Sequence, residues 1–96
     1  SGPPDPMKPA LELYGEMLLE ANRAEEAAVA FSQSLLRTPK RTPSLLGLAR
    51  ATSRTGNTTA SRQSYAEIVA MPGAAPTSPA VVEAQKALKT TTNDQR

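Results

Sequence analysis

The chain has 96 residues and nearly balanced charge, with 11 basic and 9 acidic side chains and a net charge of +2, so length allows one domain with one modest core and charge alone gives no case for nucleic acid. Cysteine and histidine are absent, which excludes disulfides, thiol chemistry, and the nucleophile triads and metal sites built on those residues. No apolar run approaches the roughly 20 residues of a membrane span, and only Tyr14, Phe31 and Tyr65 are aromatic, so leucine, alanine and valine must fill most of the core.

Residues 1–8 carry Pro3, Pro4 and Pro6 and read as an extended leader without structure of its own. Ser1-Gly2 without an initiator Met reads as a cloning remnant, and the chain is expected to be a fragment of a longer protein. A first helix is predicted over 9–21, with Leu11, Tyr14, Gly15 and Leu18 buried and Glu12, Glu16 and Glu20 in an i, i+4, i+8 row on another face. Gly15 in mid-helix costs about 1 kcal/mol against alanine, a cost that makes sense where a neighbouring helix must come close. Asn22-Arg23 is a turn. A second helix follows over 24–36, packing through Ala24, Ala27, Ala28, Phe31 and Leu35, with Glu25 and Glu26 in the first turn where the helix dipole favours acids.

Arg37, Lys40 and Arg41 crowd the next loop, a basic cluster that reads first as solvated. A third helix is predicted over 43–55, capped by Thr42 and stopped by Gly56. A fourth covers 58–70 and buries Tyr65, Ile68 and Val69; its Thr- and Ser-rich start is low in helix propensity. Pro72-Gly73 breaks the chain. The fifth helix, 79–89, is capped by Ser78 and turns Val81, Ala84 and Leu88 inward, and 90–96 is expected to be a disordered polar tail.

Two of these hairpins are copies. Leu11, Tyr14, Gly15, Leu18, Ala27, Phe31 and Pro39 match, without a gap, the pattern of a large residue, Leu-Gly, Tyr, Ala-x-x-x-Phe and Pro, and the chain thereby resembles the tetratricopeptide repeat family. It departs twice, with Leu11 for Trp and Leu18 for Tyr. A shift of about 34 residues brings Leu11 onto Leu45, Tyr14 onto Leu48, Gly15 onto Ala49 and Phe31 onto Tyr65, with Pro72 one residue early and a two-residue insertion before Pro79. The resemblance implies an all-α, right-handed stack of five helices: repeat 1 over 8–41, repeat 2 over 42–75, and a capping helix over 79–89 that closes the open end.

A stack of that family implies a binding scaffold whose concave face is lined by the first helix of each hairpin. On that face superposition places Glu12, Glu16 and Glu20 beside Leu46, Arg50 and Arg54, and then Val82, Lys86 and Thr90. One reading makes Glu16–Arg50 and Glu20–Arg54 ladder salt bridges, each worth about 0–1 kcal/mol when exposed. Another makes Arg50, Arg54 and Lys86 a positive strip for an acidic segment or chain-terminal carboxylate of a partner. Glu12 and Glu16 stand where tetratricopeptide clamps for chaperone tails carry Lys and Asn, which speaks against that ligand. The expected function is a protein-interaction module taking a protein or peptide in the groove of Glu12, Glu16, Leu46, Arg50, Arg54, Val82 and Lys86, with neither catalysis nor cofactor. Two alternatives stay open: oligomerisation through the Leu46 and Val82 row, and docking of an acidic polymer or nucleic acid through Arg37, Lys40 and Arg41.

Overall fold

The computed structural model describes residues 8–94, with side chains to Thr90. The described residues form five helices and no strand: α1 (Ala10–Glu20), α2 (Ala24–Arg37), α3 (Thr42–Arg54), α4 (Thr58–Ala70) and α5 (Pro79–Asp94). Each helix packs against the next, and α1 touches α3 as α3 touches α5. The odd-numbered helices therefore form one layer and α2 and α4 the other.

The turns that set this order are written locally. After α1, Asn22 adopts φ 64°, the Arg23 N–H reaches the Leu18 carbonyl at 2.9 Å and the Asn22 N–H reaches Leu19 at 3.0 Å. This is a Schellman stop, in which a left-handed residue lets the chain satisfy the last carbonyls of the helix. After α3 the same pair of bonds recurs, from Asn57 to Thr52 and from Gly56 to Ser53, with Gly56 at φ 86°. Asn57 then caps α4 by accepting from the Ala60 N–H at 3.2 Å. The α2–α3 and α4–α5 connections also correspond: Arg41 donates to the Thr38 carbonyl and Ala74 to Met71, with Lys40 and Gly73 both at positive φ.

Phe31 centres the first core. Fully buried, its ring lies against Gly15 of α1 and Gly47 of α3; a Cβ at these positions would fall 2.9 Å and 2.2 Å from ring carbons. The close approach expected at Gly15 is present, and Gly47 supplies a second one. Leu18, Leu19, Ala27, Ala30 and Ala51 complete this cluster. The second cluster gathers Leu45, Ala49, Tyr65, Ile68, Val81 and Ala84.

Several sequence expectations change. Tyr14 is 53% exposed: it borders an open hollow with Val29 and Gln33 of α2, and no further helix covers it. Thr42 begins α3 rather than capping it, and the cap position is Arg41, whose side chain makes no capping bond to the helix. Helix α5 runs on to Asp94, past the expected end at Lys89: no Gly or Pro follows to stop it, and the modest propensity of threonine is insufficient to end a helix already propagating. The expected tail is thus helical through residue 94; the last two residues, like the Pro-rich leader up to residue 7, lie outside the described residues. A further change, at Glu12, belongs to the site below.

Candidate binding face of α1, α3 and α5

The layer of odd-numbered helices carries most of the side-chain ion pairs. At its first seam Glu12 is fully buried, so it forms no part of a solvated acidic row or of an open groove. Its carboxylate accepts from Arg41 Nε at 2.8 Å, Arg41 Nη2 at 3.0 Å and Ser44 Oγ at 2.6 Å, and Ser44 Oγ is in turn 2.8 Å from Ser34 Oγ. Burial pushes the Glu12 pKa up. The bonds from Arg41 and Ser44, with the charges of Arg41 and Lys8, outweigh it and hold the carboxyl below its ordinary value. A lone buried carboxylate would be costly, and here both oxygens are satisfied. The partners come from the α2–α3 loop and the first turn of α3, which explains why a reading of helix faces alone set Glu12 toward water.

The bonds of Arg41 also divide the basic loop cluster. It is committed to Glu12, while Arg37 and Lys40 remain exposed.

Along the seams the expected ladder is replaced by other pairings. Glu16 accepts from Lys8 Nζ at 3.1–3.2 Å. Arg50 turns the other way and donates twice to Glu83 of α5, Nε at 2.8 Å and Nη2 at 2.6 Å. Arg54 donates from Nη1 to the Leu19 carbonyl at 3.0 Å, near the C-terminal end of α1 where a cation is favoured. Neither Glu16–Arg50 nor Glu20–Arg54 is a bonded pair. Arg50 is likewise not an unengaged member of a positive strip.

Glu83 was not among the sequence candidates, although the repeat offered a signal. With the two-residue insertion counted, Glu83 falls on the position of Gly47, where Phe31 inserts in the first hairpin. In the second hairpin Tyr65 stands in place of Phe31, and its hydroxyl donates to Glu83 Oε2 at 3.0 Å. Burial and that acceptor push the Tyr65 pKa up to about 12, while hydrogen bonds from Arg50 draw the Glu83 carboxyl below its ordinary value.

The remaining expected groove residues divide by exposure. Leu46 is half-buried against the second core cluster, whereas Val82 is 48% exposed and Lys86 is exposed beside it on α5. The open part of the face thus consists of Glu16, Arg50, Arg54, Val82 and Lys86, with Leu46 as its floor.

Among the described residues no cluster of acidic side chains could hold a metal ion, and no helix is long and apolar enough to cross a membrane. No protein-family model matches the chain, and no curated protein or solved structure matches it significantly.

Proposed function

We propose that the chain is a tetratricopeptide-like stack that binds a segment of another protein across α1, α3 and α5, without chemistry of its own. The observation that supports this most is the recurrence of one hairpin at a single period in both turn and core. The same two-bond stop closes α1 and α3, and Phe31 and Tyr65 fill corresponding sites. Stacked hairpins of this kind leave the outward positions of one layer unused by packing. Here those positions combine the apolar Val82 and Leu46 with the charged Glu16, Arg54 and Lys86, so an amphipathic segment would bury its apolar side chains on the former and be oriented by the latter.

The test is a binding titration with a partner captured by the chain, repeated with Val82→Asp and Lys86→Glu. Both sites are exposed, so the melting temperature should hold while affinity falls at least tenfold. Intact binding in these variants, with loss on substituting the exposed Ser32 or Gln63 of the other layer, would overturn the groove reading.

A further inference from the structure

The two ends of the stack are finished differently. At the far end the exposed side of α5 carries Gln85, Lys86 and Lys89 with one apolar residue, Val82, a mostly polar outer face of the kind that terminal units of helical stacks need. At the near end α1 turns Leu13, Tyr14 and Met17 outward, 48%, 53% and 58% exposed, with Val29 of α2 beside them at 57%. Tyr14 and Val29 border the same shallow hollow of about 230 Å³.

The internal repeat says what such a face is for. Advanced by about 34 residues, Ala10, Leu13, Tyr14 and Met17 become Ser44, Gly47, Leu48 and Ala51 of α3. Those residues are covered: Ser44 and Ala51 are fully buried, Gly47 lies beneath the Phe31 ring, and Leu48 packs into the first core. The outer face of α1 is therefore the counterpart of a surface that packs against a helix.

We infer that a second copy of this chain covers it, α1 against α1 in antiparallel, two-fold fashion. Three features select this occupant. The small residues that admit Phe31 into α3 are replaced on α1 by Leu13 and Met17, so a helix carrying a bulky residue as α2 does has no room in that seat, whereas two such faces can interleave their large side chains. Head-to-tail stacking of copies is closed off, because α2 is already covered by α3 and α4 by α5. The antiparallel arrangement is self-complementary, setting Leu13 against the partner's Met17 and the reverse. It also brings Glu20 beside the N-terminal end of the other α1, where a carboxylate is favoured; a parallel pair would set Glu20 against Glu20.

The patch is small against the roughly 1,200–2,000 Å² of a standard interface, so association is weak and concentration-dependent. In sedimentation equilibrium the mass should rise from the 10.1 kDa of the monomer toward twice that between about 10 μM and about 1 mM. Met17→Glu should return it to monomer with an unchanged helical signal and melting temperature. Because the chain lacks cysteine, orientation is read by crosslinking: Leu13→Cys mixed with Met17→Cys should form the mixed disulfide faster than either variant pairs with itself. A mass that stays at the monomer throughout, association that survives Met17→Glu, or faster self-pairing of Leu13→Cys would each overturn the inference. Should Met17→Glu fail to fold, the crosslinking rates decide it alone.

Discussion

The two hairpin junctions share one backbone plan and solve it with different chemistry. In the first, an aromatic ring without a polar atom sits between Gly15 and Gly47, and the polar work is done at one edge by Glu12, Arg41, Ser44 and Ser34. In the second, Ala49 and Glu83 occupy the glycine positions, and Tyr65 carries its own polar atom out to Glu83 and Arg50. The position of Ser34 is taken there by Ile68, and that of Glu12 by Leu46. A repeat thus conserves size and spacing at its aromatic site while leaving open whether the neighbouring polar groups are buried beneath the junction or set at its rim. The first junction should fail when its volume is altered, and the second should respond mildly to loss of a hydrogen bond.

The largest effect is expected at the ring. Phe31→Ala removes a fully buried aromatic and should cost about 3–5 kcal/mol, a large part of the stability of so small a domain. A thermal melt within a degree or two of the parent would break the contrast. Adding volume on the same axis should also hurt: Gly47→Ala places a Cβ 2.2 Å from a ring carbon, with about 1–3 kcal/mol of overpacking. Combining it with Phe31→Leu should recover part of the loss, a coupling readable in a double-mutant cycle.

Next comes the buried ion pair. Arg41→Ala leaves the fully buried Glu12 without its main partner and should cost about 2–3 kcal/mol, less than for a wholly buried pair because Arg41 is partly solvated. The pH dependence has a definite sign. The folded pKa of Glu12 lies below the ordinary 4.5, so its contribution is complete above the unfolded pKa and disappears as pH falls through the folded one. Urea melts of the parent should therefore lose stability below about pH 4.5 more steeply than those of Glu12→Gln.

At the second junction Tyr65→Phe should cost only about 1 kcal/mol, the net worth of one hydrogen bond, with the ring still in place. Its signature is at the alkaline end. With the folded pKa raised to about 12 from 10.0, the parent should lose stability as pH rises through that interval, and Tyr65→Phe should flatten the loss. The smallest effect belongs to the exposed pair Lys8–Glu16, where Glu16→Gln should change stability by at most about 0.5 kcal/mol and only at low salt.

Much of the architecture was legible because it is punctuated locally. Gly56-Asn57 and Pro72-Gly73 bound α4 at Thr58–Ala70, the span expected, and α2 differs from expectation by one residue at its end. The Gly15 approach and the burial of Phe31 and Tyr65 follow from spacing as well. What spacing cannot encode is whether a neighbour is present: Tyr14 and Leu48 are equivalent in sequence, yet only Leu48 has a helix packed on its side. Nor does it encode partners brought in by loops. Glu12 shares a helical row with Glu16 and Glu20 and differs from them only because Arg41 and Ser44 arrive from 29 and 32 residues away.

The bonds that join successive odd-numbered helices have a mechanical consequence. The α1–α3 seam is fastened near both ends, by Glu12 to Ser44 and by the Leu19 carbonyl to Arg54, about two helical turns apart along α1. Among the described residues, the side-chain tie from α3 to α5 is the single fork from Arg50 to Glu83. Helix α5 is held mainly from α4 instead, by Tyr65 to Glu83 and by Arg62 to the Leu88 carbonyl. The C-terminal side of the face should therefore follow α4, whereas its α1–α3 part is fixed directly across the seam.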